Sequence, residues 1–284
     1  PLQPEAPRAA PPKPSRWVPR GRMIPLLGAG SVVFALGVYC AWSYNSLRSV
    51  PAETVPQDVT DRYNPTMARN FDSDNERTEY WQGILKLRKR LAQEASGHVL
   101  EVSAGTGRNT EFYDLKKCRS LTLVDQSASM LEEARKKWQE WRESRPPFNR
   151  PREEAMRLVN ADALKEIPPA PPSAGVKKEE GEPDYYDTVV QTMGLCSTPE
   201  PEKLLEKMGD AVKDDGRILL LEHGKAKYNW LNSLLDKTAA GHADRYGCWW
   251  NKDIDGIVRR AKGLEVVEIK RKHFGTTWWV ELRK

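Results

Sequence analysis

His98-Val-Leu-Glu-Val-Ser-Ala-Gly-Thr-Gly-Arg-Asn-Thr-Glu111 holds the decision about the fold. Val99, Leu100 and Val102 make a short apolar run suited to a buried parallel strand. The small residues Ser103 to Gly107 then allow a sharp turn, and its glycines let the backbone approach a ligand closely.

Two ligand classes use such a strand and turn. The dinucleotide fingerprint asks for a third small residue after Gly-x-Gly-x-x, whereas Gly105-Thr-Gly107-Arg-Asn-Thr110 has threonine there. The chain instead carries an acid, Glu101, ahead of both glycines. A carboxylate aimed into the turn suits a ligand with a cationic amino group and a sulfonium, and S-adenosylmethionine carries both charges. Leu121-Thr-Leu-Val-Asp125 is a second apolar run, ending in an acid 24 residues beyond Glu101, where an adenosine ribose would present two hydroxyls. Leu158-Val-Asn-Ala-Asp162 is a third, its acid placed to accept from an adenine amine. Asp187 to Thr192 and Arg217 to Glu222 complete five strands. Polar groups at their carboxyl ends describe one crevice, because ligands of open α/β sheets bind outside those ends. The residues expected to hold the cofactor are Glu101, Ser103, Ala104, Gly105 and Gly107, then Asp125 and Gln126, Asp162 and Ala163, and Thr192.

This series resembles a class I S-adenosylmethionine-dependent methyltransferase over residues 58–284. Within that class, Glu101 to Asn109, Leu221-Glu-His-Gly224, Gly247-Cys-Trp-Trp-Asn-Lys-Asp-Ile254 and His273-Phe-Gly-Thr-Thr277 resemble the fungal membrane-anchored mitochondrial inner-membrane methyltransferase-like family. That family is related to small membrane-associated thiol methyltransferases and, more distantly, to quinone-biosynthesis C-methyltransferases. The resemblance implies a Rossmann-like α/β fold with a seven-stranded, mostly parallel sheet, an antiparallel C-terminal strand and S-adenosyl-L-methionine as cofactor. The usual first glycine of the turn is Ser103 here, which fits at negative φ.

Outward from the turn, the first 50 residues carry six basic side chains against the single acid Glu5, which accounts for the whole formal charge of +5. The remainder is balanced, so net charge lends no support to nucleic-acid binding. Residues 1–23 form a proline-rich basic tail. Residues 24–44 contain no charge and, as a helix, would span about 31 Å, the reading being one transmembrane helix. Arg16, Arg20 and Arg22 precede it and Arg48 follows, which places the large domain on the opposite side from the tail, in the intermembrane space if the membrane is the mitochondrial inner one. A polar linker, 45–57, leads to the methyltransferase domain.

In that domain a helical stretch from Asp74 to Ala95 turns Trp81, Ile84, Leu85, Leu91 and Ala92 inward and Lys86, Arg88, Lys89 and Arg90 mostly outward. Tyr63 ahead of it reads as part of a lid over the cofactor or as a packing residue. Ser129-Met-Leu-Glu132 reads as a capping box, and Thr198-Pro-Glu as another helix start. The insert 167–183 is low-complexity and reads as a disordered surface loop. Leu264 to Ile269 and Thr276 to Leu282 flank a turn at His273-Phe-Gly275 and form an antiparallel hairpin foreign to the dinucleotide fold. The paired tryptophans Trp249-Trp250 and Trp278-Trp279 read as core or pocket walls.

Methyl transfer from a sulfonium is an in-line displacement with a neutral leaving group, so the protein mainly positions and desolvates. A base is optional. His223, directly after the fifth strand, is the first candidate and His242 the second, with a structural hydrogen bond as the alternative for each. The four cysteines lack metal spacing, so no metal is expected. The leading expectation is a membrane-tethered methyltransferase for a small or lipid-soluble acceptor. The alternative is a catalytically silent protein of the same fold that assembles or stabilises inner-membrane complexes.

Overall fold

The computed structural model of the protein describes residues 20–172 and 184–284. The tail up to residue 19 and the insert from 173 to 183 lie outside the described residues. The chain divides into two units, Pro1–Ser46 and Leu47–Lys284.

The first unit contributes most of helix α1, Arg20–Arg48. Its side chains from Gly28 to Trp42 are exposed. Among the described residues no helix is long and apolar enough to cross a membrane, which corrects the transmembrane helix expected over 24–44. Ile24, Leu26 and Leu27, at the apolar start of that run, lie outside the described side chains, as do Arg16, Arg20 and Arg22. From Gly28 onward the run is diluted by Gly30, Ser31 and Gly37, and then by Ser43 and Asn45.

The second unit is built on seven strands: β1 Gly97–Val102, β2 Cys118–Asp125, β3 Met156–Asn160, β4 Tyr186–Thr192, β5 Val212–His223, β6 Glu265–Lys272 and β7 Thr277–Arg283. They form one sheet in the order β3-β2-β1-β4-β5-β7-β6. The pairs from β3 to β5 are parallel, and β7 runs antiparallel to both β5 and β6, as the sequence predicts. Strand order reverses between β1 and β4, the place where an open sheet leaves a crevice at its carboxyl ends.

Alternation along the strands supplies both faces with core. Leu100, Val102, Val189, Ile218, Leu220 and Trp278 pack on one side, against α5, Pro201–Ala211, and α7, Ile254–Arg260. Val99, Leu123, Val190, Leu219, Leu221 and Trp279 pack on the other, against α3, Ile84–Glu94, and α4, Ala128–Glu143. Helices on both faces keep the central strands dry, which is why they read as nearly continuous apolar runs.

Three details differ from expectation. The helical stretch before β1 is two helices, α2, Pro65–Gln82, and α3, separated by Gly83 at φ +71°. A left-handed residue ends α2, with its N–H bonded to the carbonyls of Glu79 and Tyr80. The cap of α4 is Ser127, whose side chain accepts from Met130 N–H, and not Ser129. Part of the stretch read as a linker belongs to the domain: Val55 is buried together with the domain's Val59 against α6, Asn229–Tyr246, through Ala239, Ala240 and Ala243. The start of the insert is likewise packed, with Ala170 buried and the Pro168 and Pro169 carbonyls accepting from Tyr186 Oη.

Candidate active site

A cleft enclosing ≈ 890 Å³, counting space open to solvent, lies at the carboxyl ends of β1, β2 and β4 and beside the loop after β3. Ser103, Ala104 and Gly105 line it from the first turn, Asp125 and Gln126 from the end of β2, Asp162 and Ala163 from the loop after β3, and Thr192 from the end of β4. Eight of the ten residues expected to hold a cofactor are thus brought to one cavity. Glu101 and Gly107 are not among its walls.

The turn owes its shape to a run of left-handed residues. Gly105 has φ +56°, and a Cβ built there would meet nothing within 4 Å, so its backbone faces open space. Gly107 has φ +68° and a packing role: a Cβ there would lie 2.8 Å from Thr110 Oγ1 and 3.2 Å from Ala134 Cβ of α4. Ser103 adopts φ +54°, which corrects the expectation of a negative φ. Its hydroxyl accepts from Gln191 Nε2 at 3.2 Å.

Asp125 holds the turn from the second strand. Its Oδ2 accepts from Gly105 N–H at 2.8 Å and its Oδ1 from Ser127 N–H at 2.8 Å. Each oxygen keeps a further lone pair. Burial raises its pKa, opposed by the two backbone bonds. Asp162 accepts from Leu164 N–H at 3.0 Å and pairs with Lys165 at 3.1 Å, so it also organises its own loop.

Glu101 is not aimed into the turn but lies beneath it, where Asn109 Nδ2 donates at 2.9 Å and Tyr113 Oη at 2.8 Å. The side chain is 1% exposed, and burial pushes its pKa up to about 7. A second such acid is Glu222, fully buried at the end of β5. It accepts from Gly194 N–H at 3.0 Å and Leu195 N–H at 3.2 Å, and burial lifts it also to about 7. Glu222 therefore fixes the loop after β4, where Met193 sits at φ +55° and lines the cleft.

Above the turn, α2 is fastened by buried ions. Arg88 of α3 donates to both oxygens of Glu79, at 2.9 and 3.0 Å, and its Nη1 reaches Thr192 Oγ1 at 2.7 Å and Asn109 Oδ1 at 3.2 Å. Arg108 bridges Glu79 at 2.9 Å and Asp72 at 3.1 Å, while Thr106 Oγ1 donates to Asp72 at 2.7 Å and Lys137 also pairs with it. These cations hold the carboxyls of Asp72 and Glu79 below their ordinary range against the opposing effect of burial, which is the largest single influence on each. Tyr63 also lines the cleft, its Oη donating to the Gly247 carbonyl at 2.8 Å and sharing a 2.9 Å bond with Ser197 Oγ.

Arg88 is only 4% exposed, which corrects its outward reading. The missed signal is its spacing, since it follows Ile84 by four residues and precedes Leu91 by three, on the apolar face. Conversely Trp81, expected inward, is 80% exposed in the last turn of α2. Neither His223 nor His242 is among the residues lining the cleft, so the geometry gives no support to the base role expected of them. Burial lowers both to about 4, which leaves them neutral near pH 7. His242 is held by a 2.7 Å bond between Nδ1 and the Cys248 carbonyl and is stacked on Trp250.

Residues 74–269 match the family model described as a methyltransferase domain. The mitochondrial methyltransferase OMS1 of Saccharomyces cerevisiae is 36% identical over 233 residues, covering 82% of this chain and 48% of the yeast protein. The ubiquinone/menaquinone biosynthesis C-methyltransferase UbiE of Pectobacterium atrosepticum is 26% identical over 178 residues, 60% of this chain and 61% of that one. The chain thus spans less than two thirds of the length of either curated relative. Among solved structures, an O-methyltransferase family protein from Burkholderia thailandensis superposes with a TM-score of 0.54 at 15% identity, over 80% of this chain and 63% of that one. The DhpI-SAM-HEP complex superposes at 0.52 and 16% identity, over 79% and 95%. At such identity these two show the fold, and it is the one described above. With a family model matched across most of the sheet and a yeast relative aligned over 82% of this chain, the chain belongs to the methyltransferase domain family.

Proposed function

We propose that the protein is an S-adenosylmethionine-dependent methyltransferase acting on a small or lipid-soluble acceptor in the mitochondrion. The observation that carries this reading is the convergence of Gly105, Asp125, Asp162 and Thr192, each at or just past the carboxyl end of a different strand, on one cleft at the reversal of strand order. The residues fit the cofactor. Asp125 keeps acceptor capacity for two ribose hydroxyls, Gly105 offers bare backbone to open space, and Arg88 stands on the wall beside Thr192 for an amino-acid carboxylate. When bound, the sulfonium supplies the methyl group and departs as a neutral thioether. The chain's own part is to orient the two reactants and keep water out, through Tyr63 and Phe71 over the cleft and Met193 at its floor. Ser103 in a glycine-like conformation preserves the turn, which favours a working site over a silent one.

The mitochondrial setting rests on the yeast relative's name, and the lipid-soluble acceptor on the quinone-biosynthesis activity named for the bacterial one. Attachment to a membrane through α1 belongs to the same proposal, supported by the exposure of Val32, Val33, Phe34, Leu36 and Val38 around the helix. Flotation of the full chain with phosphatidylcholine vesicles checks it: F34D/V38D is expected to float less than the parent, and unchanged flotation removes that part.

Titration calorimetry of the full chain with S-adenosylmethionine is the direct test. Binding is expected, and Asp125→Ala weakens it by at least about ten-fold, ~1.4 kcal/mol. Absence of heat at millimolar ligand overturns the proposal.

A further inference from the structure

Two acid-free segments meet at the carboxyl edge of the sheet, Lys225 to Trp230 after β5 and Lys270 to Phe274 at the turn between β6 and β7. Lys227 N–H donates to the Phe274 carbonyl at 3.0 Å, and Gly224 N–H to the Thr276 carbonyl at 3.0 Å. Arg271 brackets them, donating to the Lys225 carbonyl at 2.5 Å with its guanidinium 3.8 Å over the Trp278 ring. Of the acids beside these segments, Glu268 is taken by Lys270 at 2.6 Å, and Asp253 and Asp255, which share a recess with Lys225, act on Arg271, already spent inside the bracket. Lys225, Lys227 and Lys272 are left exposed beside Tyr228, Trp230 and Phe274.

The aromatics protrude: Trp230 is 67% exposed and Phe274 71%. The turn holding Phe274 is strained, with His273 at φ +51° and Phe274 at φ +57° in succession. Such a turn ordinarily takes Asn-Gly or Gly-Gly, so an outward phenylalanine in it does nothing for the core. Aromatic tips interleaved with lysines suit the headgroup layer of a bilayer, where rings sit among acyl chains and cations meet anionic lipid. Two separate tips, not a groove, make a poor seat for a folded partner, and the balanced charge of residues 51–284 disfavours nucleic acid.

We propose that this patch is the face by which the domain lies on an anionic lipid surface. The inference does not depend on methyl transfer or on cofactor binding. It sets the sheet edge that carries the cleft toward the lipid, since β5 Leu221 stands in register with Thr192 of β4.

The experiment is flotation of the full chain with phosphatidylcholine vesicles, with and without phosphatidylglycerol. Attachment through α1 enters all arms alike. The anionic lipid is expected to tighten binding, and K225E/K227E/K272E to lower the added partition by at least about a hundred-fold, at roughly five-fold per lysine. The charge-matched R135E/K136E/K203E on other helices is expected to change it far less, with thermal melting confirming that both variants fold. Hydrogen exchange reads the same contact when α1 already holds the chain to the vesicle: amides of 225–230 and 271–276 slow with phosphatidylglycerol and not without it. Equal losses in the two triple variants, or no added protection of those amides, overturn the proposal. Tighter binding to a single-stranded oligonucleotide than to the anionic vesicles overturns it in favour of nucleic acid.

Discussion

Ser103 shows how much one dihedral angle decides. A non-glycine residue in the left-handed region costs about 1–2 kcal/mol, and glycine escapes that cost at the expense of about 0.5–1 kcal/mol of chain entropy. Ser103→Gly also gives up the bond from Gln191, so its unfolding free energy is expected to stay within about 1 kcal/mol of the parent. Ser103→Val adds a β-branched side chain at φ +54° and is expected to lose about 2 kcal/mol or more. Urea denaturation measures both, and a valine variant as stable as the parent contradicts the strained turn. The buried glutamates give a second prediction. Folding raises Glu101 and Glu222 to about 7 from an ordinary 4.5, so the native state binds more protons than the unfolded chain between those values. The stability these two carboxyls contribute therefore falls as pH rises from about 5 to 7, by at most ~1.4 kcal/mol per pH unit for each group. His223 and His242, lowered to about 4 from an ordinary 6.5, act in the opposite sense below pH 6.5, so the prediction is the difference between variants. In urea denaturation Glu222→Gln is expected to make the slope of stability against pH more positive than the parent's by up to ~1.4 kcal/mol per pH unit, and an unchanged slope refutes the assignment.

Among the elements, α2 depends most on charge. Glu79 sits between Arg88 and Arg108, whose side chains are 5% and 9% exposed. Glu79→Ala leaves two buried guanidinium groups without their shared partner and is expected to cost about 3–5 kcal/mol, the range for breaking a buried pair from one side. Chemical denaturation gives the total, and faster amide exchange confined to 65–82 would show that the helix loosens first. All seven strands are legible in the sequence because their apolar runs are short, separated by turn residues and mostly closed by polar groups. Helix ends are less so: Gly83 splits a stretch that reads as continuous, since a single glycine breaks a periodic pattern only when its φ is known. The cofactor side of the cleft is legible for the same reason as the strands, each residue following directly on one. Arg88, Asp72 and Glu222 are not, because their partners are far away in sequence and only the folded sheet brings them together.

For the whole molecule, ligand linkage offers the broadest check on the cleft. If S-adenosylmethionine binds only the folded chain, a hundred-fold excess over its dissociation constant adds about 2.7 kcal/mol of stability. A thermal shift is expected in the parent and is to be absent or small in Asp125→Ala at the same ligand concentration; equal shifts would locate binding elsewhere. The order of the strands has another consequence. Strand β7 is made after β6 yet lies between it and β5. During synthesis β5 therefore stays an open edge until residues 277–283 emerge, and β6 has nothing to pair with before then. The four strands around the cleft have all been translated by that time. A nascent chain can gather its ligand-facing half early, but it remains open to pairing with other chains, and to chaperone capture, until that reversed strand slides into place.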